Sequence, residues 1–298
     1  LLNKYCYKRE YISMNRDIWT IVFNDEEELF LLKKQIESLI HYNNTLNYNI
    51  ILNGNNCDVI TQKLELLGIT SLLNTVKFKV DIFTRQDFIT DEEADTGNIP
   101  CQGYLNQQML KMQVHKKSLC DEHVILDAKN VMIKNNFLES CPGVLTREKP
   151  SHFFDCYNYY CKLWHKGKKR LVKGTNTPFI FKRSVLEEFE HEFKTRNDFI
   201  NIFKTLYNNS SNVTPNFHSH IFSEFIVYDL YEQYITKDYT SINDQDKIIA
   251  RVQNFKFSKN FILKFDSIGI IALHRHIVKK HSVKEANSFL DKFIYKME

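Results

Sequence analysis

The feature that most constrains this chain is a repeated switch of hydrophobic pattern across its first half. "DIWTIVF" (17–23), "YNIILN" (48–53), "VKFKVDIF" (76–83) and "HVILD" (123–127) read as strands. Between them lie helical stretches. Residues 25–42 place Leu29, Leu32, Ile36, Leu39 and Ile40 at helical spacing, with acids in the first turn. Residues 57–67 and 103–117 also suit helices. Strands alternating with helices imply an α/β fold with a mostly parallel sheet flanked by helices. Such sheets bind ligands beyond the carboxyl ends of their strands, and Asn24 and Asp127 stand at two of those ends.

The second half reads as mainly helical. Residues 128–175 hold few periodic elements and include the basic run "HKGKKRLVK" (165–173). "TPFIFKRS" leads into a helix whose start, Ser184 with Glu187, has the pattern of a capping box. Helices are expected at about 195–207 and 220–235 and a strand at 267–274. A final helix is capped by Ser282 with Glu285. There is no internal repeat and no low-complexity segment. Only 8 Gly and 5 Pro in 298 residues argue against linkers, so one domain is expected from residue 17, with 1–16 as an N-terminal extension.

Composition narrows the partners. At 43% hydrophobic and 26% charged residues the chain is an ordinary globular protein. A net charge of +4 is too weak to name nucleic acid as a partner. The seven scattered cysteines, an odd number, fit a reducing, cytoplasmic setting. No apolar stretch reaches the length of a membrane span, and the charged N-terminus lacks a signal-peptide core. Dinucleotide, P-loop, nucleophile-elbow and H-E-x-x-H signatures are missing. Cys156 and Cys161 with His152 and His165 have only weak zinc spacing and read more simply as ordinary buried thiols.

"CDEHVILDAKN" (120–130) runs from an apolar strand into Asp127, Lys129 and Asn130. On an extended chain Asp127 and Lys129 share a face. The longer segment 103–135 resembles the core of GT-A-type glycosyltransferases, in particular a poorly characterised bacterial and viral group. The matching residues are Gly103, Gln107, Gln108 and Lys111, then Leu126, Asp127, Ala128, Lys129 and Asn130. Weaker matches lie at 177–181, 223–231 and 271–276. The resemblance implies a Rossmann-like GT-A fold, with 17–135 binding the donor and 136–298 forming the acceptor side. It also implies transfer of a hexosyl or pentosyl unit from a nucleotide sugar to a hydroxyl, on a glycan or on modified nucleic acid. In most such enzymes the strand ends in Asp-x-Asp, which holds a divalent metal, Mn²⁺ or Mg²⁺. Here Lys129 stands at the second acidic position, so the metal is in doubt and a lysine could meet phosphate directly.

On this resemblance Asn24, Gln107, Gln108, Lys111, Asp127, Lys129, Asn130 and Arg275 are the donor-binding candidates. Asp127 and His274 are the candidates for any metal, and Asp127 and Glu224 for catalysis, Glu224 as the base. Gln107 and Lys111 share a helical face, with Gln108 about 100° round. Each residue has a plainer reading. The strand-end pair could be a solvated ion pair, Glu224 a helix-start acid and His274–His276 an exposed strand end. The basic run and the aromatic stretch 153–164 suit an acidic acceptor and stacking, or a solvated loop and core. Two other classes therefore stay open: a non-catalytic nucleotide-sugar or glycan binder, and a DNA-binding protein.

Overall fold

A computed structural model of the chain describes residues 15–54, 57–94, 102–141, 147–150, 153–175, 177–196, 222–239, 249–252 and 268–295. The expected N-terminal extension up to residue 14 and most of the expected helix 195–207 lie outside them. In chain order the strands are β1 (Arg16–Val22), β2 (Asn47–Leu52), β3 (Val80–Thr84), β4 (Glu122–Leu126), β5 (Asn130–Met132), β6 (Arg147–Glu148), β7 (Val172–Lys173), β8 (Phe179–Lys182), β9 (Ile249–Val252) and β10 (Ile270–Leu273). The helices are α1 (Glu26–His41), α2 (Cys57–Leu66), α3 (Ile69–Leu73), α4 (Asp91–Ala94), α5 (Gln102–Met112), α6 (Phe137–Ser140), α7 (Phe154–His165), α8 (Arg183–Arg196), α9 (Glu224–Thr236), α10 (Arg275–His281) and α11 (Val283–Ile294).

The central sheet has the order β3-β2-β1-β4-β8. Its first four strands are parallel and β8 is an antiparallel edge. A small sheet, β5-β10-β9, stands beside it. Strand alternation divides the core. Ile18 and Val22, Tyr48 and Ile50, and Val124 and Leu126 face a layer built from α1, α11 and the small sheet. Trp19, Ile21, Ile51, Ile125, Phe179 and Phe181 face the other layer, where α5, α7 and α9 pack. Both layers draw on early and late parts of the chain.

Several expected elements shift. β3 begins at Val80 rather than 76, and the helix expected to reach 117 ends at Met112 before a single 3₁₀ turn at Val114–Lys116. Helix α7 lies within a stretch expected to hold little regular structure. Its buried face is Cys156, Tyr157, Tyr160, Cys161, Trp164 and His165, so the helical period is carried by residue types other than Leu and Ile. The Ser184 capping box does not form. The Arg183 N–H donates to the Asp121 carbonyl, the helix starts at Arg183, and Arg183 pairs with Glu187 one turn on at 2.7 Å. The late strand ends at Leu273, and His274 is the N-cap of α10 rather than a strand residue. The final cap holds: Ser282 Oγ accepts from Glu285 N at 3.3 Å.

One buried side chain ties α1 to the end of β4. Gln35 Oε1 accepts from Thr20 Oγ1 at 3.0 Å and from the Tyr48 hydroxyl at 2.5 Å. Its Nε2 donates to the carbonyls of Asp127 at 2.9 Å and Asn130 at 3.0 Å. The turn that carries Asp127 is thus pinned from below. Gln35→Leu keeps the volume but leaves buried oxygens without their donor. It is expected to cost at least about 2 kcal/mol, read as a lower urea midpoint at unchanged slope.

Candidate functional site

The order β3-β2-β1-β4 reverses direction between β1 and β4, which opens a crevice beyond their carboxyl ends. A cleft of about 820 Å³ lies there. It is of the size that holds small ligands and cofactors. The loop after β1, the first turn of α1, one face of α5, the turn after β4, and the starts of α9 and α10 wall it.

The floor is the turn after β4. Asn130 N donates to the Asp127 carbonyl at 2.9 Å, and Asn130 Oδ1 accepts from Asp127 N at 2.8 Å. Thr177 Oγ1 donates to the same Oδ1 at 2.7 Å and lies 3.2 Å from Asp127 Oδ2. Asp127 and Lys129 do meet, with Lys129 Nζ 2.5 Å from Asp127 Oδ2. A closed turn brings them together, since β4 has already ended at Leu126. Asn130 is wholly buried and works as the brace of this turn beneath the cleft surface.

Lys111 crosses the cleft wall. Helix α5 carries it, and its Nζ sits 2.9 Å from Glu224 Oε1 and 3.3 Å from Asp127 Oδ1. The Phe225 ring centroid is 4.8 Å away. Gln108 faces the same carboxylate, and its amide can donate to Glu224 only when turned nitrogen-first toward it. Burial alone would push the Lys111 ammonium down, but the two carboxylates outweigh it and hold it above its usual range. Burial raises Glu224, with Lys111 opposing. Burial would raise Asp127 too, but Lys111 and Lys129 overcome it and hold that carboxyl well below the ordinary range.

The opposite wall carries a looser ion group. Arg275 Nη1, at the start of α10, lies 3.6 Å from Asp25 Oδ2 and 3.7 Å from Glu28 Oε2. Arg275 is 59% exposed, so these contacts are weak. Asp25 also caps α1, accepting from Glu28 N at 3.1 Å. Burial pushes the Glu28 carboxyl up to about 7, with Arg275 pulling it back. Burial, with Lys129 and His276 adding to it, holds His274 down to about 4, so His274 is neutral near pH 7.

The structure gathers Gln107, Gln108, Lys111, Asp127, Lys129, Glu224, His274 and Arg275 around this one cleft. Gln108 joins Gln107 and Lys111 because the three span an arc of only about 100°. Asn24 is exposed and does not line it. Asp25, Glu28 and Tyr104, which no sequence pattern singled out as site residues, also line it, and Thr177, from the weaker match at 177–181, touches Asp127. The first two read as acids favouring a helix N-terminus, which they also are. Tyr104 is anchored by its hydroxyl, which donates to the Phe222 carbonyl at 3.1 Å, a contact no local pattern signals.

A divalent metal, which the resemblance implies, does not fit these residues. Both Asp127 oxygens face ammonium groups, and among the described residues no three His, Cys, Asp or Glu side chains converge to hold a metal ion. The zinc spacing fares no better: Cys156 and Cys161 are buried thiols of α7, and His165 Nε2 donates to the Leu230 carbonyl at 3.0 Å. His152 lies outside the described residues. Part of the basic run is used within the fold, while Lys166, Lys168 and Lys169 are exposed. Lys173 pairs with Glu232 at 2.8 Å, Lys169 bonds Asn158, and Arg170 stacks on Tyr239 at 3.7 Å. Among the described residues no helix is long and apolar enough to cross a membrane.

The sequence matches no family model and no curated protein. Solved structures do resemble it. The apo structure of the bifunctional glycosyltransferase WbbM superposes with a TM-score of 0.50 at 10% identity, over 97% of this chain. The chain spans 52% of that protein's length. The galactosyltransferase LgtC in complex with donor and acceptor sugar analogues matches with a TM-score of 0.43 at 9% identity, over 93% of this chain and 95% of that one. Core-mannan synthase A from Aspergillus fumigatus, in its Mn/GDP form, matches with a TM-score of 0.37 at 9% identity, over 73% and 69%. At such identities the likeness is one of fold: a mixed α/β fold with a mostly parallel sheet flanked by helices, the GT-A glycosyltransferase fold.

The ion cluster has a pH signature. A carboxyl held below its ordinary value of about 3.9 stabilises the folded chain above that pH. As pH falls, the unfolded chain takes up the proton first and the advantage is lost. The stability margin of the wild type over Asp127→Asn, measured by urea unfolding at pH 6, is therefore expected to shrink steadily by pH 3. A margin constant with pH would contradict the ion cluster.

Proposed function

We propose that this protein is a glycosyltransferase that moves a sugar from a nucleotide-sugar donor to a hydroxyl acceptor. One observation carries the reading. Asp127 from the end of β4 and Glu224 from the start of α9 converge on a single ammonium, Lys111, in a cleft over the switch point of a parallel sheet. The fold likeness to a glycosyltransferase structure supports it.

In this reading Gln107, Lys129 and Arg275 receive the polar and anionic parts of the donor, and Asp127 orients a hydroxyl of its sugar or ribose. The bond between the anomeric carbon and the phosphate oxygen breaks, and the nucleoside diphosphate leaves. The acceptor oxygen bonds to the anomeric carbon, and its proton passes to Glu224, which burial makes a stronger base than an exposed carboxylate. Lys111 and Gln108 hold Glu224 in place.

A second reading has its own observation. Because Lys111 and Gln108 already occupy Glu224, the cleft could bind a nucleotide sugar without transferring it. Incubation with a panel of nucleotide sugars, alone and with simple glycan acceptors, separates the two. Transfer predicts release of nucleoside diphosphate above the uncatalysed rate, whereas pure binding predicts a raised melting temperature with no release. Glu224→Gln is expected to lower kcat by about 100-fold or more while donor affinity stays near wild type. Wild-type turnover in that variant would return Glu224 to a structural role.

A further inference from the structure

Two lysines touch Asp127, and they are not equivalent. Lys111 keeps only 5% of its side chain exposed, bridges two carboxylates and packs against Phe225. It is committed on every side. Lys129 is 26% exposed, makes one contact at 2.5 Å with Asp127 Oδ2, and stands on the turn that forms the cleft floor. An ammonium carries three donors. One is taken by Asp127, and the others have cleft space before them, with the neutral His274 ring nearby.

We infer that Lys129 is the cation on which a nucleoside diphosphate places its diphosphate, and that this cleft binds such ligands without a divalent metal. The inference rests on the reading given above and names the group that meets the leaving anion. Asp127 on one side of the ammonium and diphosphate oxygens on the other reproduce the order carboxylate, cation, phosphate that a bridging metal would supply. Lys111 matters because it already compensates Asp127 from the other oxygen. Lys129 can therefore lean toward a phosphate without leaving a bare, half-buried carboxylate behind, which would be costly. Thr177, 3.2 Å from Asp127 Oδ2, steadies the carboxylate through that exchange. Arg275 adds a second, more exposed cation on the opposite wall.

Calorimetric titration of the full chain with UDP, GDP, ADP and CDP, in EDTA and then in Mn²⁺, tests this. Inorganic pyrophosphate serves as the probe for the diphosphate alone. At least one nucleoside diphosphate is expected to bind in EDTA, with affinity changed less than about threefold by Mn²⁺. Lys129→Ala is expected to weaken binding at least tenfold, with an unchanged circular dichroism spectrum because the side chain is partly exposed. Lys129→Asp removes the ammonium and adds a hard-cation ligand beside Asp127. It is expected to lose binding in EDTA and regain part of it in Mn²⁺, with Mn²⁺ uptake visible directly by electron paramagnetic resonance. Binding by the wild type only in Mn²⁺ overturns the inference and leaves the glycosyltransferase reading standing. So does wild-type affinity in Lys129→Ala. Binding of no nucleoside diphosphate in either condition overturns both.

Discussion

The Lys111 ammonium is the contact on which the arrangement of the cleft depends. It is nearly buried, yet it remains charged because two carboxylates reach it from different parts of the fold. Removing either carboxylate would leave charge in a place that water hardly reaches, which is far more costly than losing a surface pair. That penalty ties the turn after β4, helix α5 and helix α9 to one another. The Gln35 amide performs the matching task from below through hydrogen bonds to the Asp127 and Asn130 carbonyls. Asp127 is thus fixed by an uncharged network on one side and an ionic one on the other.

The two walls of the cleft differ in stiffness for the same reason. On the α5–α9 side the ion pairs are buried and short. On the α1–α10 side Arg275 reaches Asp25 and Glu28 at 3.6 and 3.7 Å while largely exposed, where water screens the attraction. A ligand anion entering the cleft would compete easily for Arg275 and hardly at all for Lys111. Lys129 lies between these limits, with a short contact and a partly exposed side chain. A firm wall and a yielding wall suit a cleft that must hold one part of a ligand in register while admitting another.

Helix α9 is itself held by a buried ionic group that has no part in the cleft. Arg147 Nη2 lies 3.1 Å and Lys173 Nζ 3.7 Å from Asp229 Oδ1, which joins the short antiparallel β6–β7 pair to the middle of α9. Asp229 is fully buried, and Gln233 Nε2 donates to its other oxygen at 2.8 Å. Part of the basic run that sequence reasoning offered to an acidic acceptor is used here, because Lys173 neutralises acids of α9 instead. Charge composition could not reveal this, since the acids that absorb the run lie more than fifty residues further on.

The sequence by itself determined the alternation of strand and helix, the parallel sheet that follows from it, and the placing of Asp127 at a strand's end. It also determined the nearness of Lys129 to Asp127, because two positions separated by one residue cannot be far apart. These are local properties, fixed by side-chain period and chain geometry. Only the tertiary structure decided that Lys111 meets Glu224, 113 residues away, and that Arg275 meets Asp25 and Glu28. It also decided that Asn130 braces the turn and that Ser184 caps nothing, since the Asp121 carbonyl starts α8 one residue earlier. Contacts of this kind leave no period in the sequence. They arise when packing brings distant segments into a shared low-dielectric space, where an unpaired charge or polar group is costly enough to choose its partner.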